Sequence, residues 1–173
     1  GAALVVAARS HEALDDLAGE LRDRHCVEVT VLPLDLTGPD AELRAFLDEA
    51  TAALGRIDVA ILTAGAVDDD DDGVGDWERT EDLVTVNLLA PLKLGGALVK
   101  QFEGQGRGTL VLFSSIAAAA PRRRNVAYAA AKAGLESFGR SMRHRTAGTP
   151  VEVQVYALGY VDTAMTRDLD LKL

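Results

Sequence analysis

Short apolar runs alternate with amphipathic stretches along the whole chain. Residues 3 to 8 form a valine-rich apolar run that suits a strand buried on both faces. Ser10 is a good helix cap, and Leu14, Leu17 and Leu21 recur behind it at helical spacing. Residues 27 to 36, VEVTVLPLDL, are β-branched and alternating, the pattern of a second strand. The next stretch opens with cap-type residues, carries Leu43, Phe46, Leu47 and Ala50 on one face, and meets a stop at Gly55. IDVAILTAGA (57 to 66) reads as a third strand. A long helical pattern runs from Trp77 to about Phe102, with Pro91 predicting a bend or boundary inside it. TLVLFSS (109 to 115) reads as a fourth strand, 126 to 145 as a helix, and VEVQVYAL (151 to 158) as a fifth strand.

Five strands alternating with helices predict right-handed crossovers and a Rossmann-like, doubly wound parallel sheet, an α/β fold in a single domain over 1–173. The first strand has no lead-in and the chain closes soon after the fifth, so the sheet reads as truncated at both ends.

Composition adds little to this picture except by exclusion. Hydrophobic residues make up 48% and charged residues 26%, a globular balance. The net charge of −9 disfavours a nucleic-acid partner. No apolar run approaches the ~20 residues of a membrane span. Cys26 is the one cysteine, so no intrachain disulfide forms. That fits a cytoplasmic setting, with Cys26 as a small buried or half-buried filler. The run Asp68 to Asp72 reads as a solvated loop and lacks the spaced ligands of a calcium site. His11, His25 and His144 have no ligand spacing and read as surface residues; no metal site is expected.

In such sheets ligands sit beyond the carboxyl ends of the strands. Arg9, Asp35, Thr63 to Gly65, Ser114 and Ser115, and Gly159 to Thr163 all fall at strand ends. Tyr128 and Lys132 lie one helical turn apart and share a face. A lysine beside a phenol favours the phenolate and readies it for proton transfer. Asn87 sits within the long helix, where it could hold a water or fix the lysine.

Ser115, Tyr128 thirteen residues on and Lys132 four further resemble the pattern of the short-chain dehydrogenase/reductase family. Asn87 in VNLLAP is similar to that family's helix asparagine. LTAGA resembles its NNAG strand end, with Leu62 and Thr63 in place of two asparagines. LGYVDTAM resembles its PGxVxT loop, with Leu158 in place of proline. The family's glycine-rich turn belongs ahead of the first strand seen here.

The resemblance implies an oxidoreductase that moves a hydride between NADP(H) and a small carbonyl or alcohol substrate. Tyr128 would trade a proton with the substrate oxygen. Lys132 would lower the pKa of Tyr128 and bond the nicotinamide ribose, Ser115 would orient the substrate, and Asn87 would support the relay. Asp35, Leu36, Ala64 and Gly65 would flank adenine and ribose, and Thr163 would hold the carboxamide or pyrophosphate side. Ala8 stands where an acid would take a free 2'-hydroxyl, and Arg9 follows it. Arginine suits a 2'-phosphate, so NADP(H) is expected over NAD(H). Arg122, Arg123 and Arg124 would lie beside the substrate mouth or in a solvated loop. Two other readings are a sugar-nucleotide epimerase or dehydratase on a related fold, and a non-catalytic scaffold keeping only an assembly surface. The small residues Ala129, Ala133, Ser137 and Gly139, with the wide apolar stripe of the long helix, predict a homodimer or homotetramer built on those two helices.

Overall fold

A computed structural model of the chain describes residues 2–67, 75–121, 123 and 125–161. They form two compact units, Gly1–Ile57 and Asp58–Leu173, each considered by itself.

In the first unit, strands β1 (Ala3–Val6) and β2 (Glu28–Val31) pair in parallel, with Val6 beside Val31. Both strands are shorter than their apolar runs. The chains nevertheless stay side by side. The Leu32 amide donates to the Val6 carbonyl and the Leu34 amide to the Ala8 carbonyl, each at 3.0 Å. This extension carries Arg9 and Asp35 to the same end of the pair. Helix α1 (His11–His25) starts at Ser10, whose hydroxyl accepts the Ala13 amide at 3.2 Å. It buries Leu14 and Ala18, while Leu17 is largely exposed. Cys26 departs from expectation. It ends α1 in the left-handed region at φ 51° and is exposed rather than a core filler. Helix α2 (Asp40–Leu54) buries Leu43 and Ala50 and stops at Gly55, as the sequence predicts.

In the second unit, β3 (Val59–Leu62), β4 (Gly108–Ser115) and β5 (Val151–Leu158) form a parallel sheet in that order. Helices α4 (Ala90–Gln105) and α5 (Val126–Arg145) pack on the face carrying Leu110, Leu112 and Val155. Close approach there depends on Gly139: a Cβ at this position would meet Val155 Cγ2 at 2.3 Å. Gly139 and Ala129 are thus buried against the protein, and only Ala133 and Ser137 of the small-residue set are exposed. On the opposite face Val59 and Ile61 are 55% and 58% exposed.

The long helical pattern divides into α3 (Trp77–Val84), a π-helical turn over Thr85–Leu89, and α4. Pro91 does interrupt the ladder, but the irregularity lies on its N-terminal side. Proline offers no N–H to the Asn87 carbonyl one turn back, and the wider turn closes through the Ala90 amide onto the Thr85 carbonyl. The whole run Trp77–Gln105 is 29 residues long. Contrary to the reading of the apolar runs, it is apolar enough by length and composition to cross a membrane. Its buried stripe, Leu94, Leu98, Val99 and Phe102, serves α4 as a core helix packed on β4 and α5. The bounds of α5 and β5 match the sequence reading.

Candidate active site

Four polar side chains are buried among the described residues: Asn87, Ser114, Lys132 and Thr146. Ser114 and Lys132 meet at the carboxyl end of β4 and the start of α5, and Asn87 lies in the π-helical turn that packs against α5. A buried polar group must find partners or cost several kcal/mol, and each of these does.

Lys132 is only 4% exposed. Its ammonium donates to the Phe113 carbonyl at 3.1 Å and lies 5.7 Å from the centre of the Tyr128 ring. The one-turn spacing read from the sequence therefore becomes a contact. Burial disfavours the charged amine and pushes its pKa down to about 8. An ammonium carries three donors and Phe113 takes one, so Lys132 keeps donors suited to a ribose hydroxyl.

Ser115 ends β4 and caps a short 3-10 turn, Ile116–Ala118. Its Oγ accepts the Ala117 amide at 3.1 Å. That bond uses the oxygen and leaves the hydroxyl proton to donate. Ser114, its neighbour, is turned into the core and donates to the Lys132 carbonyl at 3.2 Å. Helix α5 begins at Asn125, which adopts φ 62° as its cap residue. The bend brings Tyr128 into the first turn, half-buried.

Asn87 is fully buried in the π-helical turn. Its Nδ2 donates to the Ala66 carbonyl at 2.7 Å and to the Leu83 carbonyl at 2.9 Å. Its Oδ1 accepts the Ala66 amide at 3.2 Å. The side chain thus pins the loop behind β3, with Ala64 and Gly65 just ahead of the anchor, instead of reaching the lysine. π-helical turns recur at functional sites, and this one packs against α5.

In the first unit Arg9 and Asp35 come together. Asp35 accepts from the Thr37 amide at 2.9 Å and the Thr37 hydroxyl at 2.8 Å. These bonds, helped by the Arg9 charge, hold its carboxyl below the usual range. Leu36 is half-buried beside it, and Arg9 is exposed. Thr163, Arg122, Arg124 and Asp68 to Asp72 lie outside the described residues. Sequence reasoning placed Ser114 among the residues at the strand ends but gave it no role, and it did not identify Phe113 or Ala66 as partners of the site.

Comparison with known proteins identifies the family. The profile of the short chain dehydrogenase family matches residues 1–173. An uncharacterised oxidoreductase of Mycobacterium tuberculosis is 31% identical over 169 residues, covering 98% of this chain and 68% of that protein. The 3-oxoacyl-[acyl-carrier-protein] reductase of Escherichia coli is 29% identical over 138 residues, covering 80% of this chain and 56% of that one. Among solved structures, a 7beta-hydroxysteroid dehydrogenase superposes with a TM-score of 0.84 at 27% identity. That match covers 94% of this chain and 64% of that one. The chain spans about two thirds of the length of the first of these relatives and slightly less of the solved structure. The Tyr128–Lys132 pair, the capped Ser115 and the Asn87 anchor accordingly belong to a member of the short-chain dehydrogenase family.

Proposed function

We propose that the protein moves a hydride between NADP(H) and a carbonyl or alcohol substrate, with Tyr128 as the group that trades the proton. One observation carries the reading: a buried lysine ammonium anchored at the end of β4 and facing the Tyr128 ring. When bound, the dinucleotide supplies or accepts the hydride. Tyr128 gives its phenolic proton to the carbonyl oxygen during reduction and takes one from the alcohol in reverse. Ser115 donates to the same oxygen and fixes its direction. Lys132 offers its remaining donors to a ribose hydroxyl and keeps positive charge beside the phenol. Asn87 holds the loop at Ala64 and Gly65, which flanks the dinucleotide.

Arg9 supports NADP(H) over NAD(H). It is exposed at the end of β1, and its guanidinium suits the fork of a 2'-phosphate. The proposal extends to one domain over 1–173, a cytoplasmic location, and a homodimer or homotetramer joined through α4 and α5. Exposed Leu89, Val126, Ala133 and Ser137 on the helical segments support that association.

The test is Tyr128→Phe in the complete protein, with NADPH consumption followed across a panel of ketones. The change removes the proton and keeps the ring. Turnover is expected to fall by about 10²–10⁴ with an unchanged circular dichroism spectrum. A variant that keeps more than about a tenth of the rate refutes the role of Tyr128.

A further inference from the structure

Ser114 belongs to the buried polar set, yet the proposed chemistry does not use it. Its surroundings make a hydroxyl unnecessary for packing: alanine would fill nearly the same space on this apolar face of β4. The acceptor it chose is also informative. The Lys132 carbonyl lies inside α5, where the helix itself supplies a donor four residues on. The bond from Ser114 is therefore additional to what α5 requires.

We propose that Ser114 is a positioning residue for the Lys132 ammonium, fastening the turn of α5 that carries it to the end of β4. Two bonds cross the same gap in opposite senses. Ser114 Oγ donates to the Lys132 carbonyl at 3.2 Å, and Lys132 Nζ donates to the Phe113 carbonyl at 3.1 Å. Consecutive residues of β4 thereby hold one residue of α5 at both its backbone and its side-chain tip. A single bond would leave the turn free to roll about it; the pair fixes the depth of the helix. Because Ser115 follows Ser114 directly, the same clasp sets the substrate-orienting hydroxyl in register with Tyr128 and Lys132. The ammonium faces no ionised partner among the described residues; Tyr128 is the titratable group beside it. Its position therefore depends on the clasp rather than on an ion pair.

The inference deepens the oxidoreductase reading and rests on it for any effect on turnover, so the experiment has two separate arms. In the first, wild type, Ser114→Ala and Ser114→Thr are acetylated with acetic anhydride from pH 6 to 11. The extent at Lys132 is read by peptide mass spectrometry, with exposed Lys93 and Lys100 as internal references. Loss of the clasp admits water to the ammonium. The Lys132 midpoint is expected to rise by about one pH unit in Ser114→Ala and to stay at the wild-type value in Ser114→Thr. A wild-type midpoint in Ser114→Ala overturns the proposal, even where its melting temperature falls, since that combination describes a purely structural serine. In the second arm the complete protein is assayed for ketone-dependent NADPH oxidation, where Ser114→Ala is expected to lower kcat about tenfold with little change in KM. A shifted midpoint without dinucleotide-dependent turnover in any variant leaves the clasp standing and removes the oxidoreductase reading. Turnover abolished by Tyr128→Phe, together with an unmoved midpoint, does the reverse.

Discussion

Lys132 is a charged group placed where folding alone would not put one, and the cost can be measured. Lys132→Met keeps most of the side-chain volume and removes the charge. The amine's pKa falls from 10.5 to about 8 through burial. At about 1.36 kcal/mol per pH unit, carrying the proton into the folded state costs about 3 kcal/mol. The variant also loses the bond to the Phe113 carbonyl, worth about 1 kcal/mol. Lys132→Met is therefore expected to be more stable than wild type by about 2 kcal/mol at pH 7. For a chain of this size that corresponds to a rise of roughly 4–8 °C in Tm.

The pH dependence supplies the sharper test. Between pH 8 and 10.5 the unfolded chain still binds the Lys132 proton and the folded protein does not. Stability of the wild type then rises with pH across that window, and the penalty is present in full below it. Urea unfolding of both proteins at pH 7, 8.5 and 10 isolates this one group, because other titrations cancel in the difference. The advantage of the variant should shrink above pH 8 and vanish by about pH 10. A constant difference across the series, or a variant less stable than wild type at pH 7, would falsify the account of Lys132. Dinucleotide-dependent activity should be lost in the variant at every pH.

Asn87→Ala removes three hydrogen bonds and strands both backbone groups of Ala66. A loss of about 2–3 kcal/mol is expected in urea unfolding, and a loss under about 0.5 kcal/mol would contradict the anchoring role. Gly139→Ala drives a methyl into Val155 and should cost about 1–3 kcal/mol. Gly96→Ala, in the open interior of α4, should stabilise by about 0.5–1 kcal/mol; equal effects at the two sites would refute the packing of α5 on the sheet. Arg9→Ala should lower the NADPH-to-NADH ratio of kcat/KM by about tenfold or more, and an unchanged ratio removes Arg9 from cofactor choice.

The elements most legible in the sequence are those whose side-chain period coincides with their burial. VEVQVYAL alternates because its odd positions face α5, and the strand appears at the same bounds. Helix α5 was equally legible, since its apolar spacing persists for 20 residues. The Tyr128–Lys132 contact followed from the i,i+4 geometry alone. What stayed hidden depends on backbone detail that no side-chain pattern reports. A left-handed φ at Cys26 turned an expected filler outward. A five-residue π turn displaced the break from Pro91 toward Asn87. The partners of Asn87 and Ser114 are main-chain groups of Ala66 and Lys132, and residue identity carries no mark of them.

The alanine background around Lys132 has a physical reason that follows from those main-chain partners. For a serine on β4 to reach a helix carbonyl at 3.2 Å, the backbone of α5 must lie close to the strand. Large side chains on that turn would hold the helix away. Ala129, Ala131 and Gly139 are buried there with minimal bulk, and a Cβ on Gly134 would meet the Leu88 side chain of the π-helical turn at 3.1 Å. Short side chains lose little entropy on burial but also bury little apolar area. The constellation therefore combines a modest hydrophobic gain with a destabilised lysine. The neighbouring core, built on Phe102, Leu110, Leu112 and Leu135, offsets that cost through large, fully packed side chains. Strain in charge at the active end and dense packing beneath it are two parts of one arrangement. Removing bulk from the core, at Leu110 or Leu112, should therefore loosen the clasp before it unfolds the sheet.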